Sequence, residues 1–327
     1  MSFAAPPAVL AVLVANPALS GAELARRLGL SRAAVWKQIE GLRAAGLPVT
    51  AQAGVGYRLE TPVELLDGKA IAAELAPAQR SRLGDLAVHW QLDSTNSALL
   101  RRAGGDRRDN LVCLAELQTQ GRGRRGRAWH LPLGGGLAFS LLKRFECGLA
   151  GLAGLSAAVG VVLVQALADC GIDGARLKWP NDVTVADRKL AGILIELGGD
   201  ALGPCHAVIG IGINLRLDPE AAVGQPWTDL ATLAGGIAPS RNRLAGRLLA
   251  RLLDALAVFA ENGFPAFAAA YADHDALAGR PVRVLAPGGD RTGIACGVDA
   301  GGALRIRTAE GECRVDSGEV SIRLDDR

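Results

Sequence analysis

Four arginines interleaved with three glycines form the string Gly121-Arg122-Gly123-Arg124-Arg125-Gly126-Arg127, which follows Gln118-Thr119-Gln120 and ends on Ala128-Trp129. Such a segment can fold over an anion: each guanidinium offers a planar fork to carboxylate or phosphate, and the glycines leave amides exposed as further donors. The same composition also suits a nucleic-acid backbone or a solvated basic loop, and the residues alone leave these readings level. Gly121, Gly123 and Gly126 satisfy GxGxxG behind an apolar run, Leu111 to Leu117. A dinucleotide loop must open a helix whose N-terminus holds the pyrophosphate, however, and here Pro132 and Gly134-Gly135-Gly136 follow within a few residues. That reading fails, and the lack of any Gly-Lys-Ser/Thr excludes a P-loop.

A second group of residues suited to phosphate lies downstream. Lys178-Trp179-Pro180-Asn181-Asp182 continues through Val183-Thr184-Val185 to Arg188-Lys189-Leu190-Ala191-Gly192. Strand, Ala186-Asp187-Arg188 turn and returning strand make a hairpin, with Lys189 at the far side of the turn. Only five of the 36 basic residues are lysines (37, 69, 143, 178 and 189), and two of the five fall here. In a chain that otherwise takes arginine, lysine suggests a compact point charge at a phosphoryl or carbonyl oxygen, though a solvated hairpin lysine also fits. Asp182 can orient a lysine amine or bind a metal; equally, Asn-Asp after proline is ordinary turn chemistry.

Two further strings carry polar or bare surface. In Val208-Ile209-Gly210-Ile211-Gly212-Ile213-Asn214 strand alternation puts the isoleucines on one face and Gly210, Gly212 and Asn214 on the other. The bare strip suits a flat ligand, a barrel corner or a bulge. Asp93-Ser94-Thr95-Asn96 gathers short hydrogen-bonding side chains after the apolar run Leu86 to Leu92, and such a string is most often a helix N-cap.

The elements that must position these residues follow from composition and periodicity. With 327 residues, half of them hydrophobic, the chain can build two or three domains, which excludes a disordered or fibrous protein. Six cysteines (Cys113, Cys147, Cys170, Cys205, Cys296, Cys313) include no CxxC pair, and the four histidines form no HExxH or Cys/His cluster. Reduced thiols in a cytoplasmic protein without structural zinc are expected, and no secretory leader opens the chain. Cys147 to Ala168 carries no charge and reaches the length of a membrane span, but its Ala, Gly and Val content with Ser156 and Gln165 favours a buried core helix.

Charge is unevenly placed. Residues 1–62 hold six basic side chains (Arg26, Arg27, Arg32, Lys37, Arg43, Arg58) against three acidic ones (Glu23, Glu40, Glu60), so the whole excess of +3 sits in the N-terminal fifth. Val9, Leu10, Leu13 and Val14 predict a first helix broken at Pro17; Gly21 to about Leu28 a second; and Ser31 caps a third that runs to Gly46 with Val35, Ile39 and Leu42 on one face. Leu47 to Leu59, with Gly54-Val55-Gly56-Tyr57, predicts a wing. In a winged helix-turn-helix the third helix enters the major groove, which turns Ser31, Arg32, Ala33, Trp36 and Lys37 toward DNA bases and Arg58 toward phosphate. Such a module can also be an interaction or structural domain, but the confined charge favours DNA. One copy reads only a half-site, so a dimer is expected. Residues 63 to about 275 alternate strands and helices. From Pro281 short strands (Val282–Leu285, Gly293–Val298, Ala303–Arg307, Val320–Leu324) between glycine-rich turns predict a small β-barrel.

In this order, winged helix, DSTN, QTQGRGRRGRAW, KWPND with RKLAG, GIGIN and the terminal β-domain, the chain resembles the bifunctional biotin protein ligase and biotin operon repressor family over nearly its whole length. The resemblance implies an α+β multidomain fold: an N-terminal winged helix-turn-helix (1–62), a central mixed-sheet α/β ligase domain (63–275) and a C-terminal small SH3-like β-barrel (276–327). It implies that biotin and ATP, with Mg2+, give biotinyl-adenylate, and that biotin then passes to a lysine of the biotin carboxyl carrier protein of acetyl-CoA carboxylase. By position, Ser94, Thr95, Asn96 and Gln118 would meet the ureido head of biotin, and Arg122, Gly123 and Arg124 would close over biotin and the adenylate. Lys189 would touch the biotin carboxyl and α-phosphate, with Lys178 and Asp182 nearby. Asn214 would face the nucleotide, and Trp227 would stack on adenine. The segment from Arg216 to Pro226 is shorter than the family's adenylate-binding loop. Ligand-bound protein would form a homodimer through the central sheet and bind operator DNA. Two alternatives remain: a lipoate protein ligase, whose motif His130 and Gly134-Gly135-Gly136 faintly match, and a regulator that keeps the site only as a biotin sensor.

Overall fold

The computed structural model describes residues 6–16, 18–218, 224–286, 289–318 and 320–324. Helices α1 (Ala8–Ala15), α2 (Gly21–Leu28) and α3 (Arg32–Ala44) precede an antiparallel ribbon of β1 (Val49–Gln52) and β2 (Gly56–Leu59). Short polar side chains set the helix starts: Ser20 and Ser31 accept from the amides of Glu23 and Ala34, donors that the first turn would otherwise leave unpaired. Gly29 ends α2 at φ 63°, a left-handed corner that turns the chain into α3. Val9, Leu10, Leu24, Val35, Ile39 and Leu42 close the core of this winged helix. Pro17, the expected breaker after α1, lies outside the described residues.

The central unit is built on one seven-stranded mixed sheet. Short helices α4 (Gly68–Ala73) and α5 (Pro77–Arg80) lead to β3 (Asp85–Leu92), α6 (Thr95–Ala103), β4 (Leu111–Gln118), β5 (Gly136–Phe145) and α7 (Leu155–Asp169). There follow β6 (Arg176–Lys178), β7 (Asp182–Val185), β8 (Arg188–Gly199), β9 (Cys205–Asn214), α8 (Leu230–Leu233), α9 (Arg241–Asn262) and α10 (Ala268–His274). The sheet order is β3-β4-β5-β9-β8-β7-β6, parallel only between β3 and β4. Leu149–Asp169 is, by length and composition, apolar enough to cross a bilayer, with mean hydropathy 2.0. It nevertheless breaks into a 3-10 turn (Leu149–Leu152) and α7, and α7 buries Val159, Val161, Val162 and Leu163 against the sheet and α9. A helix apolar all round is a core helix here, as its sequence suggests.

The third unit is an antiparallel sheet of β10 (Pro281–Leu285), β11 (Arg291–Val298), β12 (Leu304–Thr308), β13 (Gly311–Val315) and β14 (Ser321–Leu324), in the order β13-β12-β11-β10-β14. It is a small antiparallel β-domain as expected, its five strands forming one ladder from β13 to β14, one strand more than the four that the sequence suggests. In β13, Glu312 and Arg314 are exposed and only Val315 is buried, so the strand lacks the apolar run that marks the other four. Its core takes in Trp179 from the central unit, whose indole N–H donates to the Gly302 carbonyl at 3.0 Å.

Candidate active site

The arginine-glycine string forms a tight arch between β4 and β5. Trp129 N donates to Gly121 O (2.8 Å) and Gly123 N to Arg127 O (2.7 Å), so the two limbs pair while Arg124–Gly126 make a single 3-10 turn. Arg125 and Gly126 sit at φ 59° and 69°, a left-handed crown in which glycine avoids the strain that arginine must carry. No helix follows, in keeping with rejection of a dinucleotide loop. The arch aims its arginines differently. Arg122 lies against Glu196 of β8, at 3.0 Å to both carboxylate oxygens. Arg124 turns inward, donating to Asn181 Oδ1 (3.2 Å) and to the Ser317 and Gly318 carbonyls of the third unit. Burial pulls its pKa below the usual arginine range.

The second constellation folds as the expected hairpin. Ala186 and Asp187 take φ 47° and 61°, the mirror-image turn that matches the strand twist, and carry β7 into β8. Lys189 Nζ then meets Asp182 Oδ1 at 2.6 Å and lies 5.2 Å from the Trp129 ring centroid. The backbone of Lys189 is held as firmly: its N–H donates to Pro226 O (3.0 Å), and its carbonyl accepts from Thr228 N (2.9 Å) and Asn214 Nδ2 (3.3 Å). The Lys178 amine has no hydrogen-bonding or ionic partner among the described residues, and burial depresses its pKa despite the nearby Asp182 charge.

The third wall is neutral and polar. Ser94 caps α6, so the N-cap reading holds, and it also faces the cavity. Thr95 N donates to Gln118 Oε1 (2.8 Å), and Ser140 Oγ stands 2.7 Å from Thr95 Oγ1 and 2.6 Å from Asn96 Oδ1. The glycine strip on β9 is straight and paired on both sides, neither corner nor bulge. It is filled by side chains: a Cβ on Gly210 would stand 2.3 Å from Asn96 Oδ1, and one on Gly212 would stand 2.4 Å from the Trp129 ring.

These three walls enclose one cavity of about 460 Å³, lined by Ser94, Thr95, Asn96, Gln118, Arg122, Gly123, Arg124, Lys178, Asp182 and Lys189. The arginine-glycine arch and both lysines therefore share a single site. Asn214 and Trp227 do not line it. The Asn214 amide, 4% exposed, is occupied by the carbonyls of Lys189 and Thr228, which makes it a brace for Lys189 rather than a ligand contact in this conformation. Trp227 is half-buried beside Lys189, with which it forms a β-bridge. Of the loop from Arg216 to Pro226, residues 219–223 lie outside the described ones, while Gly224 and Gln225 reach the cavity. His130 is exposed, and Gly135 and Gly136 serve close packing against Pro132 and Leu131. Sequence reasoning missed Trp129, Ser140 and, from the third unit, Ser321 and Arg323, all in the wall. Trp129 closes the arginine-glycine string and was open to notice; nothing local marks the others.

The winged helix presents a second surface. Ser31, Arg32, Ala33, Trp36, Lys37 and Arg58 are all exposed, and Trp36, at 58%, belongs to the surface rather than to the core of the winged helix. Arg26 and Arg27 are paired with Glu23, and Arg43 with Glu40. Arg32, Lys37 and Arg58 have no ion pair among the described residues, so the unspent charge lies on the face that sequence assigns to DNA.

Comparison with known proteins bears on both surfaces. Residues 89–214 match the biotin/lipoate A/B protein ligase family, residues 8–58 an HTH domain, and residues 278–323 the biotin protein ligase C terminal domain. The chain is 38% identical to the bifunctional ligase/repressor BirA of Salmonella typhimurium over 97% of both chains. It is 36% identical to the biotin-[acetyl-CoA-carboxylase] ligase of Mycobacterium tuberculosis, over 80% of this chain and 97% of that one. A solved biotin protein ligase from Aquifex aeolicus, in complex with biotin and ATP, superposes with TM-score 0.64 at 31% identity, covering 74% of this chain and all of that one. With a likeness that spans the winged helix, the cavity and the terminal sheet, this chain belongs to the family of bifunctional biotin ligase/repressors.

Proposed function

We propose that the cavity joins biotin to ATP and then to a carrier lysine. A biotin carboxylate oxygen attacks the α-phosphorus, the bond to the leaving pyrophosphate breaks, and biotinyl-adenylate remains. A lysine amine then attacks the acyl carbon, AMP departs and the amine loses a proton. The first step crowds negative charge, which fixed cations relieve without a covalent enzyme intermediate. The observation that carries this reading is the convergence of Arg122, Arg124, Lys178 and Lys189 on one cavity with a neutral hydrogen-bonding wall opposite.

Roles follow from position. Ser94, Thr95 and Gln118 meet the ureido head; Arg122, Gly123 and Arg124 cover the anhydride and keep water out. Lys189, steadied by Asp182, stands at the reacting carboxyl and α-phosphate, and Lys178 serves the phosphates. Trp227 would reach adenine from its place beside Lys189. Magnesium enters with the nucleotide as part of the substrate: among the described residues no group of three His, Cys, Asp or Glu could hold an ion, and Asp182 is the one carboxylate in the wall. The natural acceptor is the biotin carboxyl carrier protein of acetyl-CoA carboxylase. We read three units, 1–62, 63–275 and 276–327, with the first binding operator DNA as a ligand-promoted homodimer. What supports a dimer through the central sheet is that the β7 pairing reaches only Gly192 of β8, while β8 runs on to Gly199 with Leu197 46% exposed.

Incubation with biotin, magnesium-ATP and purified carrier domain should add one biotin mass to a single lysine, with lipoate failing to compete. Lipoate transfer instead would favour the other branch of the family. Biotin-dependent retardation of operator DNA tests the repressor half, and its absence would leave the ligase alone.

A further inference from the structure

We infer that Glu196, which does not line the cavity, sets the hydrogen-bond polarity of the head-group wall and so makes it selective for a ligand carrying ureide N–H groups. The inference rests on the proposed head-group site. Asn96 Nδ2 stands 2.8 Å from Glu196 Oε2 and 3.3 Å from Leu194 O. Both are acceptors only, so the amide edge facing them must be the NH₂ and the edge facing Ser140 must be the carbonyl. Ser140 has one proton, and Asn96 Oδ1 can only accept; the 2.6 Å contact therefore takes that proton. Thr95 Oγ1 then receives no proton from Ser140 and donates its own either to Ser140 Oγ at 2.7 Å or to Gln118 Oε1 at 3.2 Å. On either choice the Thr95 proton is taken within the wall, which leaves its oxygen to the ligand as an acceptor. Gln118 Oε1 is already taken by Thr95 N, which leaves its NH₂ as the donor beside that acceptor. An acceptor beside a donor is the complement of an N–H beside a C=O.

Glu196 is therefore a positioning residue. It holds the amide by charge, in the low-dielectric setting where a directional chain of hydrogen bonds is strongest, and it is tied in turn to Arg122 of the arch. A neutral amide at this position could present NH₂ to Asn96, allow it to flip, and free the Thr95 proton to face the ligand.

The test compares E196Q, E196D and S140A with wild type, with folding checked by calorimetry. E196Q and S140A should each raise the KM for biotin about tenfold or more, with the KM for ATP and kcat within about twofold, and the double variant should be no worse than either alone. E196D should recover part of the loss. A biotin analogue with one ureide N–H replaced by N–CH₃ should be rejected less by E196Q than by wild type. The inference is overturned if biotin KM is unmoved in E196Q, or if E196Q matches R122Q while S140A resembles wild type. Should T95V leave biotin KM unchanged, the head-group site itself is wrong, a different failure from that of the relay.

Discussion

Lys189 is fixed by an ion pair to Asp182, by backbone hydrogen bonds to Pro226 and Thr228, and by the Asn214 amide on its carbonyl. K189A should therefore lower adenylate formation by about 10²–10³-fold while the fold survives, as checked by single-turnover assay. Arg124 acts differently, since it latches the arch to Asn181 and the Ser317 and Gly318 carbonyls. R124G should still form adenylate but release it, seen as biotin on exposed lysines of a bystander protein; normal retention would remove its role. Outside the cavity, the Arg101 guanidinium holds Asp93 down at about 2 from an ordinary 3.8. A depressed acid stabilises the fold above its unfolded pKa, so this contribution is complete above about 3.8 and lost as pH falls through about 2. The stability gap between wild type and D93N should close over that window in acid titrations. At this scale the charged residues were legible because lysine is rare here and one seven-residue string interleaves four arginines with three glycines. What holds the Asn214 amide, the carbonyls of Lys189 and Thr228, was not legible, because strand alternation gives a face but not the partner that fills it.

The glycine strip shows how far pattern reaches at the level of elements. Alternation along β9 correctly puts Gly210 and Gly212 on the face opposite the isoleucines, but the flat group against Gly212 is the protein's own Trp129 indole. G210A would drive a methyl into the Asn96 amide and should cost about 1–3 kcal/mol in denaturant unfolding, with biotin KM rising. G104A, where nothing lies within 4 Å, should be nearly silent. The helix-turn-helix and the Lys178–Lys189 hairpin were readable because caps and turns are local. β13 was not, because its stability comes from pairing with β12 and only Val315 is buried.

Across the whole molecule, segments far apart in the chain are tied by polar groups that no local signal marks. Segment 63–67 is gripped by the start of α9: Glu64 accepts from Ser240 and Asn242, and Glu116 of β4 pairs with Arg241 at 2.8 Å, their side chains 4% and 3% exposed. Removing one member of a buried pair leaves the other charge uncompensated, so E116A should destabilise by about 3–5 kcal/mol in chemical denaturation. Residues of the third unit complete the cavity wall, which only the assembled fold reveals. The decisive measurement is exchange of labelled pyrophosphate into ATP. Exchange should need biotin and vanish in K189A; exchange without biotin, or biotin binding with no exchange in the wild-type protein, would contradict adenylation of biotin in this cavity.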